Sequence, residues 1–110
     1  FQLAEDVVET FIKCAGVDYE GASVHNLYGS RVNVVDVITA IESVAPEIKG
    51  RITYDEQAEL PFPAALDESS LVELIGELPV TLLQDGVERT VLHFSRLNAS
   101  GQIDVRRSLD

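Results

Sequence analysis

The side chains best suited to chemistry are few, and they lie in loops or at the ends of predicted elements. Asn26 follows Val24 and His25 in the apolar run VHNLYG, so its amide could meet a ligand where a strand ends. The alternative is a turn-stabilising asparagine that bonds nearby backbone, and both interpretations stay open. Tyr54 and Phe62 flank an irregular, proline-containing loop and could line an apolar pocket, while local core packing is the simpler interpretation of each.

Catalytic and metal-binding constellations are not recognised in the sequence. The two histidines, His25 and His93, have no cysteines or carboxylates at metal-ligand spacing, so no metal site is predicted. Neither histidine has an identifiable partner for general acid–base chemistry, so no catalytic residue is predicted. Cys14 is the single cysteine, which excludes an internal disulfide. Its place in a helical apolar pattern predicts a small buried side chain rather than a nucleophile.

The composition limits the classes of partner. The 110 residues are 45% hydrophobic and 25% charged, which predicts one globular domain. A formal net charge of -11, from 8 basic and 19 acidic residues, argues against nucleic acid and anionic membranes as partners. No apolar run is long enough to cross a bilayer, and no signal-peptide pattern is recognised. The cysteine usage predicts a reducing, cytoplasmic compartment.

Residues 3–15 are predicted to form a first helix that ends at Gly16. Glu9 and Lys13 are four residues apart, in the order that favours an ion pair on the helix surface. The apolar residues of this segment recur at helical spacing and predict one buried stripe, formed by Ala4, Val7, Val8, Phe11, Ile12 and Ala15.

The second helix is predicted to begin after Asn33, whose side chain suits the N-cap position. Asp36 then lies in the first turn, where its charge suits the helix dipole, and Pro46 ends the helix. β-Branched residues weaken the local helix propensity, so packing is needed to hold this helix. The apolar stripe is formed by Val34, Val37, Ile38, Ile41, Val44 and Ala45.

Two further helices are predicted in the second half of the chain. Asp67 suits the cap of the third helix, which ends at Gly76. Thr81 and Gln84 have the spacing of a capping box, so the last helix is predicted to start there and to close at residues 98–101. The predicted buried side chains of the two helices are Leu71, Val72, Leu74, Ile75, Leu83, Val87, Val91, Phe94 and Leu97.

Short strands are predicted at residues 24–29 and 51–56, with a third strand considered at residues 102–105. Strands separated by a helix pair in parallel through a crossover, and so small a sheet is marginal by itself. The predicted fold class is therefore α/β, with a small, partly parallel sheet of two to three strands and about four helices. Because parallel strands need cover on both faces, this piece is predicted to be a lobe that docks on a larger body.

Several of these signs occur in the order of a known family. FQLAEDVV opens a helix after an aromatic residue, VHNLYG ends at a glycine before a Val-rich helix, and LIG, Pro79 and LLQDGVERTV follow. This order resembles the C-terminal part of an extended short-chain dehydrogenase/reductase, the NAD-dependent epimerase/dehydratase family. The resemblance covers residues 1–97. It implies one C-terminal substrate-binding lobe over residues 1–110, with a Rossmann-type dinucleotide-binding domain missing upstream.

The resemblance also implies ligands and partners. Gln2 matches a family position near the substrate, and Asp6 matches an aspartate that opens the corresponding helix. A first-turn acid favoured by the helix dipole is the simpler interpretation of Asp6. Gln2, Asn26, Tyr54 and Phe62 are the predicted substrate-binding residues. NAD or NADP would bind outside this segment in the full-length enzyme, and a homodimer is a further expected assembly.

The family's catalytic parts do not occur in this chain. There is no Tyr-x-x-x-Lys and no glycine-rich strand–helix loop, so no catalytic or cofactor-binding residue is assigned. The loop YDEQAELPFP lacks the arginine that meets a diphosphate in family members, which favours a smaller, less anionic substrate. The hypothesis is thus the substrate-binding lobe of an NAD(P)-dependent epimerase, dehydratase or reductase acting on a sugar or other small hydroxy or carbonyl compound, without turnover alone. The alternative is a small acidic protein–protein interaction module.

Overall fold

A computed structural model describes residues 1–57, 63 and 65–104 of the chain. Within these residues there are four α-helices and a short 3₁₀ helix at Pro46–Ile48. The α-helices are α1 (Ala4–Ala15), α2 (Val34–Val44), α3 (Ser69–Ile75) and α4 (Leu83–Ala99). The structure therefore contains the four helices that the sequence predicts.

The predicted sheet is wrong, because the described residues form no strand and the fold is all-helical there. Residues 24–30 and 51–55 have no regular secondary structure. Phe1 and Ser30 exchange two backbone hydrogen bonds, of 2.8 Å to the Phe1 carbonyl and 3.2 Å to the Ser30 carbonyl. One such pair is not a ladder, and a strand needs a neighbour along several residues. Residues 102–104 also form no strand, while residue 105 lies outside the described residues.

The start of α2 is held by residues next to it in sequence. Asn33 is the N-cap, and its Oδ1 accepts a hydrogen bond of 2.9 Å from the Asp36 backbone N–H. In return, the Asn33 backbone N–H donates to Asp36 Oδ2 at 3.0 Å. This capping box satisfies two backbone donors that the first turn leaves unpaired. The predicted cap is therefore confirmed.

The start of α1 is held by a residue far away in sequence. Leu3 precedes α1 and provides no side-chain cap. Asp6, in the first turn, accepts two hydrogen bonds from Thr81: its Oδ2 lies 2.7 Å from the Thr81 backbone nitrogen, and its Oδ1 lies 2.8 Å from Thr81 Oγ1. We call this pair of bonds the Asp6–Thr81 clamp. It ties the start of α1 to the residues that lead into α4.

The predicted capping box at the start of α4 is wrong. The helix begins at Leu83 and has no side-chain cap. Thr81 is engaged by the clamp instead, and Gln84 Nε2 donates to Ser43 Oγ on α2 at 2.9 Å. The side chains of Thr81 and Gln84, which the local pattern predicted to cap α4, therefore bond to distant residues instead.

The helices pack in two pairs, α1 with α3 and α2 with α4. The apolar stripe of α2 faces α4 and surrounds Ala40, which is 6% exposed. The stripe of α1 faces outward, with Val8, Phe11 and Ile12 exposed by 56%, 71% and 67%. The prediction that this stripe is buried is therefore wrong for the described chain. The side of α1 that faces the rest of the chain carries Thr10, which is buried and donates to the Asp6 carbonyl at 2.8 Å.

The core of the described chain is thin. The buried residues found in it are Thr10, Ala40 and Leu71. The accessible surface is 8785 Å², whereas a compact monomer of this mass exposes roughly 6,000 Å². The radius of gyration is 17.3 Å, against about 13 Å for a compact domain of this length. No described helix combines the length and the apolar character that crossing a bilayer requires.

Candidate functional site

Two of the predicted substrate-binding residues either belong to residues 24–29 or contact them. Gln2 is exposed, and its Nε2 donates to the Leu27 carbonyl. Asn26 is also exposed, and its Nδ2 donates to the Asp67 carbonyl at 3.3 Å. Tyr54 is 43% exposed, and no hydrogen bond joins it to Gln2 or Asn26 within the described chain. The fourth predicted residue, Phe62, lies outside the described residues.

Gly29 allows the chain start to approach residues 27–30 closely. Its φ of +70° is a conformation that residues with a side chain rarely adopt. A Cβ at this position would lie 2.6 Å from the Phe1 carbonyl oxygen and would also collide with the Gln2 side chain. Glycine is therefore required here by both the backbone angle and the space. The glycine that ends VHNLYG places Gln2 against this stretch.

A polar seam joins residues 25–28 to the start of α3. We define it as His25, Asn26 and Tyr28 together with residues 67–70. His25 Nδ1 lies 2.9 Å from Ser70 Oγ, and the Tyr28 backbone N–H donates to a carboxylate oxygen of Glu68. These contacts link segments about forty residues apart, as the 41-residue separation of Asn26 and Asp67 shows. The seam therefore holds Asn26 in place.

His25 makes two hydroxyl contacts within and beside the seam. Its Nε2 lies 2.7 Å from Ser23 Oγ, and its Nδ1 is occupied by Ser70. A histidine that activates a serine is usually oriented by a third group such as a carboxylate. The hydrogen bonds of His25 in the described chain are to serines alone. The arrangement suits a side chain that positions the seam.

Asp67 supports the first helical residue of α3. Its Oδ1 accepts from the Ser69 backbone N–H at 2.9 Å, although the helix itself begins at Ser69 with Glu68 before it. The Ser69 backbone N–H and the Ser69 hydroxyl stabilise the carboxylate and hold the pKa of Asp67 below its ordinary value. A lowered folded-state pKa stabilises the fold above the ordinary carboxyl pKa, and this contribution is lost as the pH falls through the lowered value.

An apolar cleft lies between α2 and α4 beside the chain start. Its volume is about 290 Å³. Its walls include Val37 and Ile41 of α2 and Val87 and Val91 of α4, and Gln2 also lines it. Small-molecule sites are mostly apolar with a few polar groups. The cleft next to Gln2 could therefore accept the apolar part of a small ligand.

A second, wider groove runs between the start of α1 and α4. Its volume is about 690 Å³, and we call it the α4 groove. Arg89, His93 and Arg96 line it, together with Gln2 and Glu5. Arg89 Nη2 lies 3.0 Å from Glu5 Oε2. Sequence interpretation missed this basic face, although the four- and three-residue spacings of the three side chains on a helix could have revealed it.

The described residues form no cluster that could bind a metal ion. They contain no group of three or more histidines, cysteines, aspartates and glutamates close enough to hold a metal ion. No protein-family model, curated protein or solved structure matches this chain. The two clefts, the seam and the exposed face of α1 are therefore the features of the described residues that bear on function.

Proposed function

We propose that this chain is the substrate-binding lobe of an NAD(P)-dependent epimerase, dehydratase or reductase that acts on a sugar or other small hydroxy or carbonyl compound. The observation that carries the proposal is the outward-facing apolar stripe of α1, which we call the α1 face and define as Val8, Phe11 and Ile12. In this proposal, the α1 face docks on a Rossmann-type domain of the same polypeptide, which binds NAD or NADP and provides the catalytic residues.

The energetics of the α1 face favour a permanent neighbour. Full burial of an apolar side chain of this size stabilises a protein by about 1.5–3 kcal/mol. The three side chains are each more than half exposed, so a docked surface would recover a substantial part of that free energy. Contiguous exposed apolar surface of this kind is typical of sites covered by another protein surface.

Of the predicted substrate residues, Gln2 lies on the same short stretch of chain as the α1 face. Leu3 separates Gln2 from α1, and the clamp and the Phe1–Ser30 pair hold this stretch to the rest of the chain. A domain docked on α1 would therefore lie close to Gln2 and to the clefts that Gln2 lines. In this proposal the substrate is enclosed between the two bodies, with Gln2, Asn26 and Tyr54 on the lobe side. Closure of that kind excludes water from the reaction.

The first test is the mass and sequence of the natural polypeptide that contains these residues. The proposal expects an upstream segment of about 150–200 residues with a glycine-rich strand–helix loop and a Tyr-x-x-x-Lys. That polypeptide should bind NAD or NADP and should convert one member of a panel of sugars and other small hydroxy or carbonyl compounds, with product formation followed directly because epimerisation and dehydration leave the cofactor unchanged overall. A natural chain without such a segment, or one that binds neither cofactor, would overturn the proposal.

The docking role is tested by variants of the same natural polypeptide. Phe11→Asp places a charge in the α1 face and should lower the melting temperature and the activity together. Val24→Asp is the matched control, because Val24 is 95% exposed and lies off α1. Tyr54→Ala should raise the KM for the substrate and leave the KM for the cofactor unchanged. Equal losses in the Phe11 and Val24 variants would contradict a specific role for the α1 face.

A small acidic protein–protein interaction module is the second candidate function. The same α1 face supports it, with the neighbour on a different polypeptide. A net charge of -11 opposes close approach of two copies, so a partner with basic groups around an apolar patch would be favoured. This candidate expects no cofactor binding and a partner that is lost in the Phe11→Asp variant. The mass and sequence of the natural polypeptide separate the two candidates.

A further inference from the structure

We infer that the α4 groove binds a small organic phosphate. The groove has a volume of about 690 Å³, enough for a compact ligand. Its lining combines the nitrogen-bearing side chains of Arg89, His93 and Arg96 with apolar side chains. This inference goes beyond the proposed function and holds whether or not the chain is part of an oxidoreductase.

The three nitrogen-bearing side chains lie on one face of α4. They are spaced four and three residues apart, which places them one above another along a helix. The two arginines are seven residues apart, or about 10.5 Å along the helix axis, with His93 between them. Because arginine side chains are long, both guanidinium groups can turn toward a ligand that lies over His93. Each guanidinium offers a planar fork of N–H donors that matches phosphate oxygens.

The charge of the groove is opposite to that of the chain. The whole chain has a net charge of -11, while the groove lining contains two arginines and the single carboxylate of Glu5. Glu5 pairs with Arg89, and both side chains are more than half exposed. Exposed pairs of this kind are weak, so a dianionic phosphate can displace Glu5. Arg96 is exposed and forms no ion pair with the acidic side chains of the described residues.

The apolar wall of the groove favours an organic ester over inorganic phosphate. Leu92 and Phe94 line the groove and are 47% and 55% exposed, and Leu3 lines it as well. The His93 and Phe94 rings meet edge to face with their centroids 5.9 Å apart. A ligand with a phosphate at one end and a ring or short chain at the other can contact the arginines with its phosphate and the apolar side chains with its organic part.

The test is an NMR titration of the full natural polypeptide at constant ionic strength, with phenyl phosphate and inorganic phosphate as probes. Saturable shifts are expected at residues 2–5 and 89–96, with phenyl phosphate binding more tightly. Arg96→Gln and Arg89→Gln should each weaken phenyl phosphate binding about tenfold or more, since each removes a charged hydrogen-bond donor. Location of the shifts on α4 separates this site from any cofactor site elsewhere.

Arg51→Gln is the matched control, because it makes the same change at an exposed arginine outside the groove. It should leave the phenyl phosphate affinity within about twofold, as expected for a distant, screened charge. The inference is overturned by the absence of saturable shifts at residues 89–96, or by equal weakening in the Arg51 and Arg96 variants. Equal affinity for inorganic phosphate and phenyl phosphate would overturn the assignment of an organic ligand.

Discussion

The helices α1 and α2 have similar apolar stripes and opposite environments. The stripe of α2 packs against α4 and surrounds the buried Ala40. The stripe of α1 faces outward, with Phe11 exposed by 71%. Both helices were predicted from the same helical spacing of apolar residues. The periodicity of apolar residues therefore identifies an apolar face of a helix, but tertiary contacts decide whether that face is covered within the chain.

The two helices also differ in how they begin. α2 is capped by Asn33 and Asp36, which are three residues apart. α1 depends on the clamp between Asp6 and Thr81, which are 75 residues apart. The start of α2 should therefore form early and locally, whereas the start of α1 is completed only when α4 is in place. Four substitutions test these differences between α1 and α2.

Leu71→Ala should have the largest effect. Leu71 is 3% exposed and lies on α3, which packs against α1. Removal of a buried leucine side chain costs about 2–5 kcal/mol of unfolding free energy, including the cavity left behind. Urea unfolding followed by circular dichroism measures the change. Val72→Ala is the control, since Val72 is 45% exposed, and an equal cost at both positions would contradict the position of the core.

Asp6→Asn should have the next largest effect. This change replaces a charged carboxylate that accepts two hydrogen bonds from Thr81 by a neutral amide. The expected loss of unfolding free energy is about 1.5–3 kcal/mol. A cycle with Thr81→Val isolates the energy of the bond between the Asp6 carboxylate and the Thr81 hydroxyl. Strictly additive costs in the double variant would show that this hydroxyl bond does not stabilise the start of α1, and a negligible cost of Asp6→Asn alone would contradict the clamp as a whole. Glu9→Gln, at an exposed acid of the same helix, should change stability little.

Asn33→Ala should destabilise the chain by about 1 kcal/mol, because it removes the N-cap of α2. Asn33→Ser should restore most of the loss, since serine also accepts from the first turn. Thermal unfolding of the three proteins gives the comparison. If serine failed to restore stability, the capping box would not be the cause of the loss.

Phe11→Ser should have the smallest effect on the stability of the 110-residue chain, within about 0.5 kcal/mol, since its ring is 71% exposed. Urea unfolding followed by circular dichroism measures this change. A stability loss comparable to that of Leu71→Ala would mean that the α1 face is covered within the chain.

The substrate-binding role of Gln2 and Asn26 stays a prediction, and their surroundings were only partly predictable. Gln2, which the family resemblance suggested, contacts Leu27 beside the polar seam, and Asn26 belongs to the seam. The contact of Asn26 with the Asp67 carbonyl could not be predicted, because it joins segments 41 residues apart. The spacing of Arg89 and Arg96 on α4 could be found in the sequence, but the groove beside them could not, because it forms only where the start of α1 lies against α4.

Local sequence was enough to predict the four helices. The apolar spacing, the Asn33–Asp36 cap and the 3.5 Å ion pair of Glu9 and Lys13 each involve residues three or four positions apart. The outward orientation of the α1 face, the clamp and the absence of a sheet from the described residues depend on contacts between distant parts of the chain. A strand or a buried face requires a partner from a distant part of the chain. The local spacing of apolar residues does not predict whether such a partner packs against it.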